Sequence, residues 1–302
     1  MSIPNLLTYL GAGDLLLAEA RVAAADGNRE DAVRAVGALG TVARAIQSEP
    51  PLVFQVVGHA EARRQYRAIR AFLAAGGEDR ADLEHLRSSL PAPRFAERFR
   101  RAVGTEGAVL YWARPSGPGA GEITAFLGKN SAPAYDSPKG EVYFAGGLDS
   151  YVRVASAYAG SSYAGLRRRA GFFAAPQAAP PLADSHLDLV TDFGTILGEF
   201  KATESVDRLA RLALEIADQG LRTGSYPGSL DGLTRLPGEG PDPLTGDPIV
   251  YRRLPDGSAN LSVPGAEALW QAIRPRHRLP GEEDLFTWTL PSPASSRTGT
   301  GD

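Results

Sequence analysis

The side chains best suited to acid–base or metal chemistry are His59, His186, Asp188, Asp192 and Glu199. Asp188 and Asp192 stand four residues apart, so a helix would put them on one face, with Glu199 two turns beyond Asp192. Imidazole titrates near neutrality, so His59 or His186 has the chemistry of a general base. Clustered carboxylates have the chemistry of a cation site. The opposing expectation is structural. No nucleophile partners His59, which then reads as a histidine packed in a helix. The acids then form a solvated face opposite a Leu/Phe stripe. The four histidines, His59, His85, His186 and His277, contain no H-x-x-x-H pair, so a zinc helix motif is missing.

Arginines supply the other candidate chemistry. Arg63, Arg67 and Arg70 share one helical face, and Arg167–Arg169 form a run. Guanidinium groups there could take an acidic partner or a phosphate. The plainer expectation is pairing with Glu61, Asp79, Asp82 and Glu84 on neighbouring helix surfaces. The segments GPGAGE and LGKNS do not make a phosphate loop. Ile123 stands where the first Gly of G-x-x-x-x-G-K-[ST] belongs, and Asn130 follows Lys129. Ser161, Ser162 and Ser258 lack a G-x-S-x-G setting.

Composition narrows the classes further. The chain has 302 residues, 43% hydrophobic and 22% charged, with net charge −3. That is globular composition, long enough to bury a core without covalent staples. Zero cysteines exclude disulfides and thiolate metal sites. Only Lys129, Lys139 and Lys201 are lysines, so 29 of the 32 basic residues are arginine. With no basic excess, no nucleic-acid partner is expected. No apolar run reaches the length of a membrane span, and the N-terminus does not read as a signal peptide. The compartment is open between cytoplasm and periplasm.

These residues need elements to hold them. Helices are predicted over 13–26, over 29–47 behind the cap Asn28, over 52–75, and over 79–89 and 93–103. In the third, Val53, Val56, Val57 and Ala60 fall on one face, which predicts that this face is buried. Gly58 beside His59 predicts a close helix–helix approach. GNREDAV resembles the turn of a tetratricopeptide repeat over about one repeat; with no second copy, it reads as an αα-hairpin. Residues 106–113 read as a strand or a helix end. The Gly/Pro-rich stretch after them predicts short strands near 122–127 and 141–144. Helical pattern resumes at Leu148 and runs to about Phe173. It returns in one long helix, or two broken near Thr203, ending at Gly220 and Gly224.

The stretch GSYPGSLDGLTRLPGEGPDPLTGDPIVYRR, residues 224–253, is turn-dense, and IVYRR and ANLSV flank a P-D-G turn. That is a hairpin signal. SYPGSLDGL, DPLTGDPIVYRR and LSV together resemble the globular end of type II secretion major pseudopilins. With EPPLVFQVVGHAEARR, Glu49–Arg64, they are similar to a set of uncharacterised bacterial helical proteins carrying the same ending. The resemblance implies architecture and no chemistry. Major pseudopilins bind calcium through acids after the strand; SVPGAEALWQAIRP offers only Glu267, so calcium is not expected.

The expected fold is mainly α, an α+β chain of helical hairpins in one body with a small C-terminal β-hairpin module after a long helix. The expected organisation is a helical region 1–114, an excursion 115–145, a helical region 146–223, a pseudopilin-like module 224–290 and a disordered tail 291–302. The expected function is a non-enzymatic interaction or scaffold protein with a protein partner and no cofactor. Its contact residues would include Arg63, Arg67, Arg70, Trp112 and Trp270, with Phe172 and Phe173 adding to an exposed apolar patch. The alternative is a hydrolase or metal-dependent enzyme assembled around His59 or around His186, Asp188 and Asp192, with Glu199.

Overall fold

The computed structural model describes residues 6–122, 125, 136–169, 172–173, 193–231, 233, 240–274 and 285–293. The chain is mainly helical, with one small antiparallel sheet near its C-terminus. In order, α1 is Leu6–Ala25, α2 Arg29–Gln47, α3 Leu52–Ala75, α4 Arg80–Ser89, α5 Phe95–Ala113, α6 Pro138–Ala157, α7 Tyr163–Arg167 and α8 Phe193–Thr223. Then come β1 Val250–Arg253, β2 Ala259–Ser262, α9 Ala266–Ile273 and β3 Thr287–Leu290. No described helix is long and apolar enough to cross a membrane.

The early boundaries follow from capping chemistry. The Asn28 side chain accepts the Asp31 N–H at the start of α2. Asp79 and Asp82 form a reciprocal capping box at α4. Gly76 and Gly77, both at positive φ, end α3. Residues 106–113 complete α5, and α8 runs unbroken through Thr203 for 31 residues.

The helical run expected from Leu148 to about Phe173 begins at Pro138 and is broken after Ala157, and of the strand expected near 122–127 the described residues, Glu122 and Ala125, are helical. Two further expectations fail. Residues 141–144 are not a strand but the first turns of α6. Ser137 caps it by accepting the Gly140 N–H at 3.2 Å, and Pro138 suits the first turn. Tyr143, Phe144, Tyr151 and Val154 recur at helical spacing and are buried. The second failure is the phase of α3. Val53 is exposed and Val56, Val57 and Ala60 are only half-buried, while Gln55, His59, Ala62, Tyr66 and Ile69 lie inside.

That phase places α3 at the centre. It packs against α1, α2, α5, α8 and β3, and every residue from Glu61 to Tyr66 is buried. α8 is the second central helix, and its Leu197, Phe200, Val206, Leu209, Ala213 and Ile216 are fully enclosed. One continuous apolar cluster runs from Leu17 of α1 to Leu290 of β3. Small residues set the closest approaches: a Cβ on Gly58 would lie 2.5 Å from Gln47 Cγ, so the close helix–helix approach expected there is made with α2.

The sheet order is β1-β2-β3, with Val250 opposite Ser262 and Leu261 opposite Trp288. The expected hairpin is β1–β2, turned by Leu254–Gly257, with Gly257 at φ 84. β3 adds an edge the hairpin signal did not contain. The segment Asp242–Pro248 is a folded turn. The buried Asp242 carboxylate accepts the N–H groups of Leu244 and Thr245 at 2.9 Å each and the Ser205 hydroxyl of α8 at 2.6 Å. Tyr163 and Ala164 of α7 donate their N–H groups to Pro243 and Leu244. The Asp and Gly residues thus make turns, and Asp242 also moors the turn to the body.

Candidate functional site

Arg63 projects from α3 into the contact with α8. Its guanidinium donates to Thr203 Oγ1 at 2.7 Å and pairs with Glu199 Oε2 at 2.7 Å. Arg274, at the end of α9, takes the other oxygen of Glu199. Both guanidinium groups lie over the Trp270 ring, at 4.8 and 5.3 Å from its centroid. Glu199 is therefore not a solvated helix acid, and Arg63 is not a surface residue pairing with the acids expected for it. Those acids serve others: Glu61 pairs with Arg64, Asp79 and Asp82 with Arg29, and Glu84 with Arg87.

Trp270 is 3% exposed and cannot belong to a docking patch. Arg67 and Arg70 are half-buried, and Arg70 donates to the Thr287 carbonyl of β3 at 3.4 Å. Arg63 thus lies in an internal seam under α8 and α9, while Arg70 reaches the edge of β3. Trp112 alone of the expected contacts is open, at 39%, and its ring lies under Gly119. Phe172 and Phe173 pack against the core.

His59 is fully buried one turn before Arg63. Its ring centroid stands 4.0 Å from Phe200 and 5.6 Å from Phe95. Burial, reinforced by Arg63 and Arg98, holds its pKa well below the usual histidine value, so it is a neutral ring at physiological pH. Neither ring nitrogen has a hydrogen-bond partner among the described residues. A general base must reach its substrate, and this one is enclosed by aromatic rings. His186, Asp188 and Asp192 lie outside the described residues. Among those described, no three His, Asp or Glu side chains are placed to hold a metal ion.

Other buried polar groups also serve structure. Tyr66 donates to Asp207 at 3.0 Å, and Arg211 pairs with the same carboxylate. Lys201 Nζ donates to the Tyr158 carbonyl at 2.7 Å. Glu61 of α3 is enclosed beneath Gly13 of α1; burial raises its pKa to about 7 although Arg64 donates to it at 2.6 Å.

A concave surface among the described residues lies elsewhere, between α2 and α4. It is a groove of about 750 Å³. Gly37 leaves its middle open, and a Cβ there would come within 3.2 Å of His85 Nε2. Arg34, Thr41 and Arg44 of α2 face His85 and Ser88 of α4 across it. Arg29, bound to Asp79 and Asp82, closes one end. Arg44 spans the other, donating to the Ser89 carbonyl and to Thr41 Oγ1. Arg34 is itself paired with Asp31, and Glu30 and Asp82 line the trough beside the arginines, so a carboxylate on an extended segment would be held by the guanidinium N–H groups these acids leave over. Sequence reasoning missed this surface. The available signal was Gly37 and Gly40 inside a helix otherwise well formed: Gly40 admits Gln65 and the Ser89 carbonyl at close range, while Gly37 keeps the trough open.

Compared with known proteins, the chain matches no family model, no curated protein and no solved structure.

Proposed function

We propose that this is a non-enzymatic interaction protein that takes an acidic, extended peptide segment in the α2–α4 groove. The observation that carries the reading is the groove itself, with Arg34, Arg44 and His85 along its walls. From Arg29 to Arg44 the helix rises roughly 23 Å. A strand-like segment of about seven residues covers that length. The resemblance to major pseudopilins fits the same reading, with the three-stranded end as a structural cap on α3 and α8.

The test is fluorescence anisotropy with a labelled ten-residue Asp/Glu-rich peptide at low salt. Binding in the range of tens of micromolar is expected, weakened about tenfold by Arg34→Glu and by added salt. Equal binding of a Lys-rich peptide, or no binding of the acidic one, would remove the proposal.

A further inference from the structure

α1 is apolar on more than one side. Its inner face buries Leu17, Ala20, Ala23 and Ala24 against α2 and α3. Its outer face carries Thr8, Gly11, Leu15, Ala18, Val22 and Ala25, all exposed, spaced alternately by three and four residues. Leu15 is 74% and Val22 61% exposed. An alternating three–four apolar stripe is the seam of a helix pair. Charge identifies the occupant. Asp14 and Arg21 flank the stripe on one side. Antiparallel pairing of two copies, with Leu15 beside Ala18 of the second copy, sets each Asp14 against the other copy's Arg21, twice over. Sliding one heptad toward the C-terminus would oppose Arg21 to Arg21, and one toward the N-terminus Asp14 to Asp14. Parallel pairing would set Asp14 against Glu19, cancelling the Arg21–Asp26 attraction it also makes, whereas the antiparallel register has no opposed like charges. Asp14 already accepts from Arg64 at 2.8 Å through Oδ1, and its side chain is still 62% exposed.

We infer that two copies of this chain associate through the outer face of α1, antiparallel, in the register that pairs Asp14 with Arg21. A 20-residue helix is about 30 Å long, and a strip roughly 10 Å wide covers about 300 Å² per copy. That is below the standard interface size, so the association is weak and reversible.

The chain has no cysteine, so single cysteines report the geometry directly. Ala18→Cys places the two thiols about 4.5 Å apart along the axis, and Ala25→Cys about 26 Å apart. On mild oxidation of the full chain at 50–100 μM, Ala18→Cys is expected to form a disulfide dimer at least tenfold faster than Ala25→Cys. Adding Leu15→Glu is expected to abolish that dimer, with unchanged circular dichroism. Equal trapping at both positions, no trapping at Ala18→Cys, or trapping insensitive to Leu15→Glu would each overturn the inference. Flotation with phosphatidylcholine vesicles in place of trapping would overturn it too, and assign the face to a lipid surface.

Discussion

Arg63 of α3 and Glu199 of α8 form an ion pair at 2.7 Å with both side chains 3% exposed. The pair joins the two central helices at the point where α9 closes over them. Two charges withdrawn from water are stable there only because each has several partners: Thr203 and Trp270 for Arg63, Arg274 for Glu199.

Removing one partner strands the other. Glu199→Ala is expected to cost about 3–5 kcal/mol, read from urea unfolding. The double variant Arg63→Met with Glu199→Leu is expected to recover most of that loss, since apolar replacements of buried pairs are often neutral. A Glu199→Ala cost below about 1 kcal/mol, the range of exposed pairs, would mean the pair is open in solution.

Two glycines in α1 should respond in opposite directions. A Cβ added at Gly11 would meet nothing within 4 Å, whereas one at Gly13 would fall 1.9 Å from Glu61 Oε2. Gly11→Ala is expected to stabilise the protein by about 0.5–1 kcal/mol through helix propensity. Gly13→Ala is expected to destabilise it by about 1–3 kcal/mol, because the buried Glu61 has to shift. Thermal melts at low protein concentration compare the two.

Stability should depend on pH through two buried groups of opposite sign. The folded pKa of Glu61, about 7, exceeds its ordinary 4.5, so the folded state holds the extra proton. Its contribution is complete below about pH 4.5 and falls by about 3 kcal/mol as pH rises through 7. His59 is held below its ordinary 6.5. Its contribution is present above that value and falls by about 1.4 kcal/mol per unit as pH drops below it. Glu61→Gln is expected to flatten the alkaline side of a urea-midpoint profile, and His59→Leu the acid side. Profiles unchanged by either variant would show that neither group titrates as placed.

Asp242 is expected to act as a mooring point. Asp242→Ala removes the acceptor for Ser205 and for the Leu244 and Thr245 amides, at a cost of about 2–3 kcal/mol. Asp242→Asn keeps one carbonyl oxygen and should lose less. Hydrogen exchange in α7 checks the mechanism, because its Tyr163 and Ala164 amides are held by Pro243 and Leu244.

Much of the scaffold is written in short-range chemistry. Asn28, Asp79 and the Gly76–Gly77 pair bound α2, α3 and α4 because a cap or a positive-φ glycine acts within one turn. The β1–β2 hairpin is legible for the same reason, through its P-D-G turn. The start of α6 is not, because Gly146 and Gly147 obscure a capped helix that begins behind Ser137.

What lies inside was decided over long distances. Val53, Val56 and Val57 look like a core face, yet α3 buries Gln55, His59 and Arg63 instead. Apolar periodicity assumes that charge stays in water. That assumption fails where a partner arrives from far along the chain, as Thr203 does, 140 positions after Arg63. The same holds for the groove: Gly37 and His85 are ordinary residues on separate helices until α2 and α4 are packed. Composition and local pattern therefore determined a helical chain with a small terminal sheet. Tertiary packing alone chose which polar groups were paired in the interior and which were left on a concave surface, because desolvation and pairing depend on the whole environment and not on neighbours in sequence.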